Sequence, residues 1–154
     1  MQGSYVYALV MLLAGIGIPT MATLNSGLGS KLNSTSLATA MALALGFLTV
    51  SIYLIATEGF PKKFIAGELP FFFYLGGLCV AFYVISVTWI VPKFGVSNAI
   101  AFALLGQLLA MSVIDHFGLF GVQQYQITVK RLLGLMTMSV GIYLVLDKST
   151  GVSR

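Results

Sequence analysis

Apolar positions fill this chain in long stretches, and charged residues only punctuate them. No Asp, Glu, Lys or Arg occurs in 1–30, 32–57, 69–92, 94–114 or 132–146, which leaves runs of 30, 26, 24, 21 and 15 residues. Inside the runs polarity does not alternate; Ala38-Thr39-Ala40-Met41-Ala42-Leu43-Ala44-Leu45 is apolar nearly all round. A membrane β-strand needs about ten residues of alternating polarity. The runs therefore predict helices, whose backbone groups are satisfied within the segment itself. Crossing the hydrocarbon core takes roughly 20 apolar residues. Four runs are long enough outright. The fifth is flanked by Lys130–Arg131 and Asp147–Lys148, whose basic side chains reach outward along their stems.

The expected fold is an all-α integral membrane protein of five transmembrane helices in a single domain over 1–147, with a short polar tail at 148–154. The spans are placed at about 4–24, 36–56, 70–91, 96–114 and 131–146, the first with room to continue toward Gly29. Ser34, Thr35 and Ser36 offer N-cap oxygens to the second helix. Pro70 suits the first turn of the third, and Pro92 is expected to stop it. The first helix lacks a basic region ahead of it and is too long for a signal peptide, so it is expected to be retained.

Composition agrees. Twelve of 154 residues are charged, 58% are hydrophobic and the mean hydropathy is +1.00. That charge is too sparse to coat a water-facing surface, which excludes a soluble enzyme, a disordered chain and a secreted disulfide scaffold. Cys79 stands alone, so no disulfide or metal framework is available. No paired carboxylates, phosphate loop, zinc spacing or nucleophile elbow occurs. Neither enzymatic activity nor a cofactor is expected, and without a basic patch nucleic acid is not an expected partner.

Five spans put the termini on opposite sides of the bilayer. Lys62, Lys63, Lys130 and Arg131 then fall on the N-terminal side, and Lys31, Lys93, Lys148 and Arg154 on the other. Orientation follows Lys/Arg asymmetry, and a four–four tie provides none. The chain is expected to insert both ways, so that two copies pair antiparallel, or that a homologous short subunit supplies the opposite orientation. Subtler features, or a partner chain, could instead fix one orientation.

Small residues at helical spacing let membrane helices approach closely. Ala103, Gly106 and Ala110 form such a strip on the fourth helix, Gly46 continues one from Ala38 and Ala42 on the second, and Gly77 lies on the third. Plain packing and sliding during transport both fit. Gly15-Ile16-Gly17-Ile18-Pro19 is expected to kink or loosen the first helix. That bend is either structural or part of a binding site.

Polar groups at membrane depth are costly and mark candidate sites. Asn25 and Gln107 are candidate substrate contacts, or else interhelical hydrogen bonds. Tyr53, Tyr83 and Trp89 are candidate cavity walls. Asp115 and His116 are candidates for proton coupling, or else an interfacial pair in which Asp115 partners Lys130 or Arg131.

Several stretches occur in a familiar order: Leu24-Asn25-Ser26-Gly27-Leu28-Gly29, Leu75-Gly76-Gly77, Val91-Pro92-Lys93-Phe94-Gly95, Gly106-Gln107-Leu108, Asp115-His116-Phe117-Gly118-Leu119-Phe120-Gly121 and Arg131-Leu132-Leu133-Gly134. Together they resemble the short YdcZ-type family within the drug/metabolite transporter superfamily, over essentially the whole chain. The resemblance implies a multi-pass protein of the bacterial inner membrane, built as one five-helix repeat. It also implies a working unit of two repeats, because larger superfamily members carry ten helices, and dual-topology members are part of the family. By the same resemblance Asn25, Gly106, Gln107 and Asp115 are signature positions. Small multidrug-resistance exporters are similar in size, but they have four helices and an acid in the middle of the first, which this chain lacks.

The function expected is transport of a small metabolite or drug-like solute by an antiparallel dimer using alternating access. Two other readings stand beside it: a non-transporting membrane subunit, and a proton-coupled exporter of small cations.

Overall fold

The computed structural model describes residues 2–60 and 70–145, with side chains over 5–60 and 70–144. Five α-helices occur among them: α1 Gln2–Leu32, α2 Thr35–Glu58, α3 Gly76–Phe94, α4 Val96–Phe117 and α5 Val129–Val145. Short 3-10 turns cover Phe71–Leu75 and Leu119–Gly121. Lys62, Lys63, Leu146, Asp147 and the tail from Lys148 lie outside the described residues.

Helix ends follow local chemistry, with two departures from expectation at the third helix. Ser34 caps α2, its hydroxyl accepting the Leu37 N–H at 3.2 Å. Thr128 caps α5 in the same way, accepting from Arg131 N–H at 3.3 Å. Pro70 does not open an α-helix: it precedes the 3-10 turn, and α3 begins at Gly76. Nor does Pro92 stop α3, which runs through it to Phe94. A proline in the final turn removes only one backbone donor, so the helix tolerates it. The stop comes from Gly95 at φ 87°, whose N–H returns to the Val91 carbonyl at 3.0 Å.

The first helix is longer than its apolar core suggests. Helical structure passes Pro19 and carries on through Asn25-Ser26-Gly27-Leu28-Gly29-Ser30-Lys31. Thr20 and Thr23 donate to the carbonyls of Ile16 and Pro19, and Ser30 donates to that of Ser26, so hydroxyls in this polar stretch bond back to the helix.

Two compact units divide the chain, one ending at Val96 and the other starting at Ser97. The first contains α1, α2 and α3, packed on one another. Its buried residues are Ala22, Ser26 and Gly29 on α1, Ala38 and Thr39 on α2, and Val84, Val87, Thr88 and Val91 on α3. The three helices meet at Gly29. A Cβ there would stand 3.4 Å from Thr88 Cγ2 and 3.6 Å from Ala38 Cβ, so larger side chains would force the helices apart.

The second unit contains α4, an irregular connection and α5. Gly118, Phe120 and Gly121 take left-handed backbone at φ 60°, 59° and 80°, which folds residues 122–127 back onto the end of α4. Tyr125 N–H donates to the Asp115 carbonyl and Gln124 Nε2 to the His116 carbonyl, both at 2.8 Å.

Four segments are long and apolar enough to cross a membrane: Tyr5–Leu32, Thr35–Glu58, Phe71–Phe94 and Val96–Phe117. The 17 residues of α5 extend about 25 Å at 1.5 Å per residue, short of a hydrocarbon core of about 30 Å. The chain is thus all-α with four helices fit to span, and a fifth span does not follow from α5's length.

Candidate functional site

Most polar side chains of the first unit are satisfied locally. Hydroxyls on Thr49, Ser51, Thr57 and Thr88 each donate to the carbonyl four residues back. Among the described residues, the buried atoms Asn25 Nδ2, Thr39 Oγ1 and Tyr83 OH have no hydrogen-bond partner. They come from three different helices. Asn25 lies four residues before Gly29, Thr39 follows Ala38, and Tyr83 lies five before Thr88. Each is therefore within about 8 Å, measured along its own helix, of the Gly29–Ala38–Thr88 contact.

An unpaired polar group in a low-dielectric interior costs on the order of 1–3 kcal/mol. Each is thus a candidate contact for a hydrogen-bonding guest. The amide nitrogen is a donor; the two hydroxyls can donate or accept. No charged side chain is among them. Thr39, 5% exposed, was not a sequence candidate. A threonine inside the Leu37–Leu45 apolar run was the available signal.

The remaining sequence candidates are scattered. Trp89 is exposed on α3, beside a groove of about 260 Å³ lined by Thr35, Ser36, Ile85, Ser86 and Trp89 itself. The Lys93 ammonium stands over its ring, 4.0 Å from the centroid. Tyr53 is also exposed, but it lies 17 residues beyond Ser36 on α2, about 25 Å along the axis. Tyr53 and Trp89 therefore do not share one cavity wall. Gln107 is exposed on α4 in the second unit.

Gly15, Gly17, Gly46, Gly77 and Gly106 face open space: among the described residues, nothing beyond their own helix turn and chain neighbours lies within 4 Å of where a Cβ would sit. Ala110 is exposed and Ala103 half-buried. Pro19 lines a shallow recess of about 400 Å³ with Ile16, Thr20, Thr23 and Leu24.

Asp115 and His116 have structural partners. Arg131 Nη2 is 2.9 Å from Asp115 Oδ2, and His116 Nδ1 accepts the Ile127 N–H at 3.4 Å. Among the described residues no group of His, Cys, Asp and Glu is arranged to hold a metal ion.

The sequence model of one family, described as "Putative inner membrane exporter, YdcZ", matches residues 6–144. No curated protein and no solved structure matches the chain.

Proposed function

The chain belongs to the YdcZ family of inner membrane exporters, and on that premise we propose that it exports a small uncharged solute bearing hydrogen-bonding groups. The family's description names an inner membrane exporter. The observation that carries the solute class is the unpaired trio of Asn25 Nδ2, Thr39 Oγ1 and Tyr83 OH. Donors and hydroxyls without a formal charge reward a neutral guest and leave an ion's charge uncompensated.

The working unit is an antiparallel pair of these chains, set in the bacterial inner membrane with five spans each and alternating the side to which the site opens. With α5 as a fifth span, the basic residues divide four and four, which supports two-way insertion. The open glycines Gly46, Gly77 and Gly106 support close approach by another chain. The ion pair of Asp115 with Arg131 favours a fastening role for that acid over proton coupling.

Transport by purified protein in liposomes, screened with neutral polyols, amides and nucleosides against organic cations, tests the reading. Movement of a neutral class, lost on Asn25→Ala and Tyr83→Phe, is the expected result. Movement of none would favour the non-transporting subunit. Cation movement abolished by Asp115→Asn would favour the proton-coupled exporter.

A further inference from the structure

The groove between the first turn of α2 and the Ile85–Trp89 stretch of α3 opens near the α2 N-terminus and the C-terminal half of α3. One wall continues down α3 as a stripe: Leu78, Phe82, Ile85 and Trp89, at spacings of four, three and four, are all exposed. From Leu78 to Trp89 the stripe is about 16 Å long, close to one leaflet of a hydrocarbon core of about 30 Å. The next residue at this spacing is Lys93, whose ammonium rests over the Trp89 ring. An apolar track one leaflet long thus ends at an aromatic ring and a cation.

The polar side of the groove faces the same end. Thr35 and Ser36 open α2, where backbone N–H groups precede any intrahelical acceptor. Ser86 lies on the groove, and its hydroxyl, unlike that of Thr88, makes no hydrogen bond among the described residues. Lys31 ends α1 three residues before the Ser34 cap. Among the described residues no carboxylate lies within 4.0 Å of Lys93 or Lys31. Hydroxyl donors, free N–H groups and uncompensated positive charge above an acyl-length track match one molecule in shape and sign.

We propose that this groove binds an anionic phospholipid, its phosphate held by Thr35, Ser36, Ser86 and Lys93 and one acyl chain laid along Leu78, Phe82 and Ile85. The proposal stands whether or not the chain transports anything.

Trp89 is the chain's single tryptophan, so its fluorescence reports this groove alone. The experiment places the full chain in nanodiscs holding either dibrominated phosphatidylglycerol or dibrominated phosphatidylcholine at equal mole fraction and compares quenching. Quenching by the anionic lipid is expected to exceed that by the zwitterionic one at least two-fold. Lys93→Gln and the triple variant Thr35→Ala/Ser36→Ala/Ser86→Ala should each bring the ratio toward one, with helical circular dichroism unchanged. Equal quenching by both lipids in the wild-type chain overturns the proposal. So does an excess that survives the triple variant, which reports diffuse charge attraction without a built site. A Trp89 response to millimolar inorganic phosphate in phosphatidylcholine discs, with no preference between the brominated lipids, assigns the groove to a free anion and overturns the lipid.

Discussion

Arg131 and Asp115 are joined across sixteen residues of sequence by a 2.9 Å ion pair that fastens the last turn of α4 to the first turn of α5. Both side chains are about 30% exposed, so the pair is worth about 1 kcal/mol or less. Asp115→Asn and Arg131→Gln should each lower the unfolding midpoint slightly. The double variant should cost less than the sum of the two, because both remove one interaction. Fully additive losses, measured by thermal unfolding in detergent, would show that the two side chains act separately.

Gly118→Ala should destabilise the second unit by about 1–2 kcal/mol. The residue sits at φ 60°, which L side chains avoid. A Cβ would also press within 3.3 Å of the Val122 carbonyl oxygen. Faster limited proteolysis within residues 118–128 is the readout, and an unchanged cleavage rate would contradict it.

Gly46→Ala and Gly106→Ala should do the opposite to the lone chain. Their surroundings are open, and alanine favours helix over glycine by about 0.5–1 kcal/mol. If these glycines meet a second copy, cross-linked dimer should fall while the unfolding midpoint holds or rises. An unaltered dimer fraction would assign them to lipid.

Thr39→Val separates binding from packing. Replacing an unpaired buried hydroxyl with a methyl of similar volume should leave stability unchanged or raise it by about 1 kcal/mol. A hydroxyl needed for the solute would still be missed in the liposome assay. A clear loss of stability instead would mean that the hydroxyl is bonded in the membrane.

His116 Nδ1 accepts the Ile127 N–H at 3.4 Å. Amide exchange at Ile127 should therefore accelerate in His116→Phe, which removes the acceptor, when both chains are compared at one pH. Unchanged exchange in that variant would remove His116 from the fold-back.

Much of this fold was legible because charge is so scarce. Gaps between charged residues located every helix, and Ser34 marked the start of α2. What stayed hidden was whatever depends on a neighbour. The polar end of α1 remains helical because Ser26 and Gly29 turn inward to α2 and α3, which periodicity within α1 does not reveal. Pro92 read as a stop, but Gly95 held the stronger signal. Asn25 and Tyr83 were visible as polar groups in apolar runs. Thr39 was overlooked because threonine usually returns its hydroxyl to its own helix, as Thr49 and Thr57 do here. The fold-back after α4 needed a left-handed Phe120, for which no residue preference gives warning.

The Gly29 contact also sets a mechanical ratio. Burial in the first unit is gathered near that contact, while Tyr5 to Ile16 on α1 are exposed. Tyr5 stands 24 residues from Gly29, about 36 Å along the axis. The meeting of Gly29, Ala38 and Thr88 thus lies near one end of α1, and a tilt of about 5° about it would carry the far end through about 3 Å.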